Sequence, residues 1–169
     1  IVATFGMVAP TKRNQTLLWA WIESALTRDP LCQLVFAGPM DLGEYGSALR
    51  TDAVSDDAGT VVFTDRLTDK GFSDWLAAAD VSVQLRGESR GETSGAVSHA
   101  MAHGLPVVVN AHGSLAELPG DAVFRIADPV DAKELAGVLE RLHDDAGLRD
   151  QFGVAARSHI ATQCHPDAC

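Results

Sequence analysis

The chain has 169 residues, 46% of them hydrophobic and 21% charged, and a formal net charge of −10. That is enough for one domain with its own core, and the acidic balance argues against nucleic acid and anionic membrane surfaces as partners. No apolar run approaches the roughly 20 residues of a membrane span, and three cysteines (Cys32, Cys164, Cys169) in no framework spacing fit a reducing compartment better than a disulfide scaffold.

In chain order, IVATFGMV (1–8) is a short apolar run ending near Gly6 and predicts a buried strand. The chain opens inside that strand, so we expect a fragment of a longer protein. NQTLLWAWIESALTR (14–28) sets Leu18, Ile22 and Ala25, with Trp21 beside them, at helical spacing. CQLVFAG (32–38) reads as a second strand with Cys32 in the core, stopped by Gly38 and Pro39. A weak helix follows over 43–55, a strand at 60–65, a helix at 69–79 and a strand at 80–85. RGESRGET (86–93) is a polar loop. A helix over 94–103 leads to a fifth strand, LPVVVN (105–110), and DAVFRIA (121–127) is a sixth. Asp128 reads as an N-cap with Pro129 at the first helical position. Ala132, Leu135, Leu139 and Leu142 then form an inner face, and a last helix covers 146–161.

Strands and helices alternate, and the strands are apolar runs rather than polar–apolar alternations, so both sheet faces are covered. The expected fold is α/β: one Rossmann-like domain over 1–169, a doubly wound parallel sheet of about six strands with helices on both faces. Ligands bind such sheets in the crevice at the carboxyl ends of the strands. The loops there are 6–13, 38–43, 64–68, 86–94 and 110–117. They carry Lys12, Arg13, Arg66, Arg86, Arg90, Glu92, Thr93, Ser94, His112, Ser114 and Glu117.

The stretch GETSGAVSHAMAHGLPVVV (91–109) holds the sharpest signal. The first backbone N–H groups of its helix lack intrahelical partners and, with the helix dipole, suit a phosphate. Gly95 leaves room for one, and Lys12 supplies a point charge; equally, Thr93 or Ser94 serves as a plain cap. No G-x-G-x-x-G follows the first strand, no Walker-type G-x-x-x-x-G-K-[ST] occurs, and Ser94 sits one position late for a G-x-S-x-G elbow. His99 and His103 have i, i+4 spacing, but no third ligand and no D-x-D pair accompany them, so no metal is expected.

GETSGAVSHAMAHGLPVVVNAHGSLAEL resembles the donor-binding, C-terminal half of family 4 glycosyltransferases of the GT-B fold. FGMVAPTKRNQTLLWAW is similar to that family's first strand and loop, VVFTDRLTDKGFSDWLAAADVSVQL to its central strand–helix–strand, and HIATQCHPDAC to the start of its C-terminal tail. The ordered set covers nearly the whole chain.

The resemblance implies retaining, metal-independent transfer of a glycosyl group from a nucleoside-diphosphate sugar (UDP or GDP type) to an acceptor hydroxyl, without a further cofactor. It implies that Lys12 meets the diphosphate and Glu92 holds sugar hydroxyls. The amides of Ser94, Gly95 and Ala96, with Thr93 and Gly6 nearby, take phosphate. Arg66 and Leu67 meet the nucleobase, and Gly113 and Glu117 complete the site. Met7 stands where the family has arginine, with Arg13 as a substitute, and His99 where it has a ribose-binding glutamate. The acceptor (glycan, lipid or small molecule) would belong to an absent N-terminal domain. The location would be cytoplasmic, or peripheral to the inner face of the membrane. A degenerate, non-catalytic binding domain and an epimerase of the same fold are the alternatives.

Overall fold

The computed structural model describes residues 1–55, 58–88 and 94–163. Strands β1 (Val2–Phe5), β2 (Leu34–Ala37), β3 (Val61–Phe63), β4 (Val81–Gln84), β5 (Val107–Asn110) and β6 (Phe124–Ile126) form one parallel sheet. Its order is β3-β2-β1-β4-β5-β6. This is the Rossmann-like doubly wound arrangement expected from the alternation of elements.

Among the described residues, six α-helices connect and cover the strands: α1 (Asn14–Glu23), α2 (Glu44–Ser55), α3 (Asp69–Ala78), α4 (Gly95–Ala102), α5 (Ala132–Asp144) and α6 (Ala146–Gln163). The apolar strand runs are explained by two cores. Leu34, Phe36, Val81, Val83 and Val108 pack with Leu18 and Trp21 of α1, Leu49 of α2 and Leu135, Leu139 and Leu142 of α5. Their neighbours Ala3, Phe5, Val35, Val107 and Val109 point the other way, onto Leu76 of α3, Val97 and Met101 of α4 and Ala156 of α6. Side chains alternate across a strand, so a strand covered on both faces is apolar at most positions, and the buried polar exceptions here are Thr4, Ser82, Gln84 and Asn110.

Three local expectations are corrected. The first helix ends at Glu23, because the Ser24 N–H reaches back to Ala20 and Trp21 carbonyls and its hydroxyl donates to Trp21 O at 2.7 Å. Ala25 is therefore exposed outside the helix, and Leu17 and Leu26 are buried instead. Cys32 is half-buried and lies before β2, not within it. The cap of α5 is Asp131, whose carboxylate accepts from Lys133 N at 2.8 Å and Glu134 N at 3.0 Å. Asp128 cannot cap that helix: it lies three residues before the cap, and its oxygens are occupied elsewhere.

The sheet opens where its order reverses. β1 pairs with β2 along all four residues, from Val2↔Leu34 to Phe5↔Ala37. With β4 it pairs only at Val2↔Val81 and Ala3↔Ser82. The buried Gln84 carboxamide lies beside Phe5, and in the orientation that matches donors to acceptors its oxygen accepts from Phe5 N at 2.8 Å and its nitrogen donates to Phe5 O at 3.2 Å. Buried backbone groups need partners. A side chain thus takes the place of a ladder rung near the carboxyl ends of β1 and β4, the place in the sheet order where open α/β sheets form their binding crevice.

Candidate functional site

The loop after β1 forms one wall. Gly6 has φ 105°, and open space lies where its Cβ would be. Met7 follows, 58% exposed. Pro10–Lys12 is a 3-10 turn with proline at its start, where a missing N–H costs nothing. Asn14 is buried, and its Oδ1 accepts from Ala9 N at 3.0 Å, which ties the turn to the head of α1. Arg13, left-handed at φ 48°, joins turn to helix. Lys12 is thus the last residue of a braced turn at the crevice and is half-buried.

The loops after β4, β5 and β6 are bound to this wall by one polar cluster. Asn110 ends β5 and is fully buried. Its Oδ1 accepts from Arg86 N at 2.8 Å, and its Nδ2 donates to Arg86 O at 2.8 Å and to Asp128 Oδ1 at 3.1 Å. Arg13 Nε donates to the same Arg86 carbonyl at 3.1 Å, and its guanidinium stands 3.6 Å from Asp128. His112 Nδ1 lies 2.6 Å from Asp128 Oδ2. Thr11 O accepts from Gly87 N at 2.8 Å. Residues from four loops therefore fix one another.

Asn110 and Asp128 were missed from sequence. The one visible signal was a polar residue closing an otherwise apolar strand, VVVN.

Burial pushes the Asp128 carboxyl up, but hydrogen bonds from His112 and Asn110 and the charges of His112 and Arg13 outweigh it and hold it below the ordinary carboxylate value. A folded-state value below the unfolded one means stability that is present above the unfolded value and lost as pH falls through the folded one. Asp128→Asn is therefore expected to cost about 1–2 kcal/mol at pH 7, where a hydrogen-bonded charge is lost. The gap between variant and parent should close below about pH 4. Urea unfolding at several pH values checks this; a gap that persists unchanged in acid contradicts it.

The helix after β4 begins as expected. Ser94 is the buried N-cap of α4, its Oγ accepting from Val97 N at 3.5 Å. Gly95 is exposed with nothing within 4 Å of a Cβ position, and Ala96 is half-buried. The exposed His99 sets its ring edge-on to Phe72 at 5.7 Å, and Phe72 in turn packs on Phe5 at the end of β1. His103 Nδ1 lies 2.9 Å from His99 O. The two histidines thus have different neighbours and no shared focus.

Arg66 is exposed and Leu67 half-buried in the turn after β3, where Arg50 holds Asp65 at 2.7 Å. Gly113 (φ 53°) opens a 3-10 turn after β5 that ends at Glu117; both are exposed, and Leu115 anchors the turn in the core. Gly6, Lys12, Arg13, Arg66, Ser94, Gly95 and Gly113 thus all follow carboxyl ends of strands. The expected Glu92, Thr93 and Arg90 lie outside the described residues.

A family model described as "Glycosyl transferases group 1" matches residues 1–145. No curated protein matches the sequence. Among solved structures, the C-terminal domain of a glycosyl transferase group 1 family protein (LpcC) from Francisella tularensis superposes with a TM-score of 0.82 at 19% identity, over 96% of this chain and 84% of that one. HepE from Anabaena, in complex with UDP and glucose, gives a TM-score of 0.81 at 22% identity, over 95% of this chain and 43% of that one. Sucrose-phosphate synthase from Thermosynechococcus elongatus gives 0.80 at 22%, over 99% and 42%. At these identities the likeness is one of fold, that of GT-B C-terminal domains. The chain spans less than half the length of HepE or the synthase.

Proposed function

The chain belongs to the glycosyl transferases group 1 family, and from that premise we propose that it is the donor-binding half of a family 4, retaining glycosyltransferase that moves a sugar from a nucleoside diphosphate to an acceptor hydroxyl. One observation carries the reading: a capped helix N-terminus with an unobstructed glycine, and a braced lysine turn, follow the two strands that flank the switch point of the sheet. Helix amides and a lysine together stabilise the charge that develops on a departing diphosphate, with no metal required. HepE's complexes with UDP and with UDP-glucose support the donor class.

In this reading Lys12 and the amides of Gly95 and Ala96 take the diphosphate. Arg66 and Leu67 face the base, and His99 the ribose. Glu92 is assigned to the sugar hydroxyls on the sequence resemblance alone. The Arg13 guanidinium is turned onto Arg86 O and Asp128, so it braces the wall. A second domain, of the kind the lengths of HepE and the synthase leave room for, supplies the acceptor, and the whole enzyme works in the cytoplasm or against the inner membrane face. A domain that binds a nucleotide without transferring is the second reading, favoured by the exposed Met7 where the family resemblance implies arginine.

Calorimetry with UDP and GDP tests the assignment. Lys12→Ala is expected to weaken the preferred nucleotide by about 1.5–3 kcal/mol, the worth of a hydrogen bond to a charged group, or roughly 10- to 150-fold. Unchanged affinity on folded protein removes Lys12 from the site. Binding of neither nucleotide by the parent chain sinks the donor reading.

A further inference from the structure

We propose that Asp29, Cys32 and His143 form a binding site for one divalent metal ion of the zinc class, at the edge of the sheet opposite the donor crevice. The three residues offer one carboxylate oxygen, one sulfur and one imidazole nitrogen, and these atoms all lie within 4.8 Å of one another. Zinc bonds of about 2.0–2.3 Å in tetrahedral geometry put ligand atoms roughly 3.3–3.8 Å apart, so small side-chain torsions complete the set. His143 Nε2 and Asp29 Oδ2 are already 3.9 Å apart.

The surroundings orient each ligand toward the same point. Asp29 Oδ1 accepts from Leu31 N at 2.8 Å, and Asp29 O accepts from Cys32 N at 3.0 Å. The DPLC turn is thereby closed, with Oδ2 turned toward the histidine. His143 Nδ1 lies 2.9 Å from Asp144 Oδ1, so Nδ1 is the donor there, and in the neutral imidazole that binds a metal the lone pair would be on Nε2, the nitrogen on the Asp29 side. A carboxylate on the far imidazole nitrogen is the outer-shell partner that metal-bound histidines keep.

His143 also lies in the last turn of α5, where the helix dipole favours a cation. A cavity of about 170 Å³, bounded by Trp21, Leu26, Leu139 and Arg149 as well as Cys32 and His143, adjoins the cluster and leaves space for water in a fourth position.

Charge balances at the site. Binding M²⁺ releases the thiol proton to solvent, and a thiolate, a carboxylate and a neutral imidazole then give zero net charge around the ion. Without a cation, burial and the Asp29 carboxylate both push the Cys32 thiol up and keep it protonated; an ion at this point reverses that preference. The site shares no residue with the proposed donor crevice, so either can fail without the other.

Cobalt(II) is the probe, since a thiolate ligand gives it a charge-transfer absorption and tetrahedral geometry intensifies its visible bands. The 169-residue chain carrying Cys164→Ser and Cys169→Ser is titrated with Co²⁺ and then with Zn²⁺ in competition. We expect one equivalent bound with a thiolate band. That band should be lost in Cys32→Ser and weakened at least about tenfold in His143→Gln and in Asp29→Asn. Absence of a thiolate band, or one indifferent to His143→Gln, overturns the proposal. Should Cys32→Ser fail to fold, the His143 and Asp29 variants decide by the same readout.

Discussion

Asn110→Asp is expected to destabilise the fold by about 3–5 kcal/mol at pH 7, the cost of an uncompensated charge in a buried polar cluster. The native amide nitrogen donates to Arg86 O at 2.8 Å and to Asp128 Oδ1 at 3.1 Å. A carboxylate of the same shape puts an oxygen there, against a carbonyl and a second carboxylate, at a position with no solvent exposure. Two carboxyl groups that close cannot both ionise without large cost, so one is held protonated. Folding of the variant then takes up a proton. Its stability should recover as pH falls toward 5, a range in which the parent, whose Asp128 is held low, does not change through this group.

Asn110→Leu removes the amide without adding charge and should cost about 2–3 kcal/mol, largely for the Arg86 N–H left without its acceptor. Urea unfolding of both variants across pH checks the pair. A loss under ~1 kcal/mol for either, or an aspartate variant indifferent to pH, refutes the view that Asn110 holds the crevice together.

The same substitutions bear on ligand binding. The Asn110 amide grips both backbone groups of Arg86, and Arg13 grips its carbonyl a second time. The described part of the loop between β4 and α4 is held at Arg86 and Gly87, its second and third residues, by β5 and by the lysine turn. Any nucleotide at the α4 N-terminus then meets a wall already in place, and pre-ordered groups bind without the ordering cost. In the milder Asn110→Leu variant, nucleotide affinity should fall although the side chain touches no ligand.

What the sequence made legible follows from period and composition. Apolar runs such as VVVN and QLVFAG needed two covered faces, and that forced parallel strands with helices between them. A cap at Thr93 or Ser94 was legible because capping chemistry is local, and the structure puts it at Ser94. Asp128 was misread for the same reason: Asp–Pro is a local signal for a helix start, but Asn110, eighteen residues earlier, and His112 compete for that carboxylate only after β5 and β6 pair. Cys32 was misplaced because an apolar run does not mark where pairing begins; the turn closed by Asp29 O decides that. Arg13 offered only its charge to the sequence, and its left-handed backbone and its grip on Arg86 are tertiary facts. Local rules thus found the elements and the helix terminus, and missed the polar cluster assembled from four loops.

Gly38→Ala should be the most damaging single-methyl change at the crevice, by about 3–5 kcal/mol, or roughly 10 °C in Tm for a domain of this size. Gly38 follows β2 at φ 151°, a region that disfavours any side chain. A Cβ there would lie 2.2 Å from the carbonyl oxygen of Gly6 and 2.7 Å from its carbonyl carbon. Both are main-chain atoms, so no rotamer relieves the contact, and the segments leaving β1 and β2 must separate. Those segments are joined just beyond by Gly6 N to Ala37 O at 3.0 Å and Val8 N to Pro39 O at 2.9 Å, bonds that a separation stretches first. Their loss would release the turn that carries Lys12, so nucleotide affinity should drop together with stability. Gly137→Ala is the matched control. It lies exposed in the middle of α5 with nothing within 4 Å of the added methyl, and should stabilise by about 0.5–1 kcal/mol. Thermal melts of the two variants, with and without nucleotide, give the comparison. If Gly38→Ala melts within a degree or two of the parent, the floor of the crevice is not the close backbone contact described above.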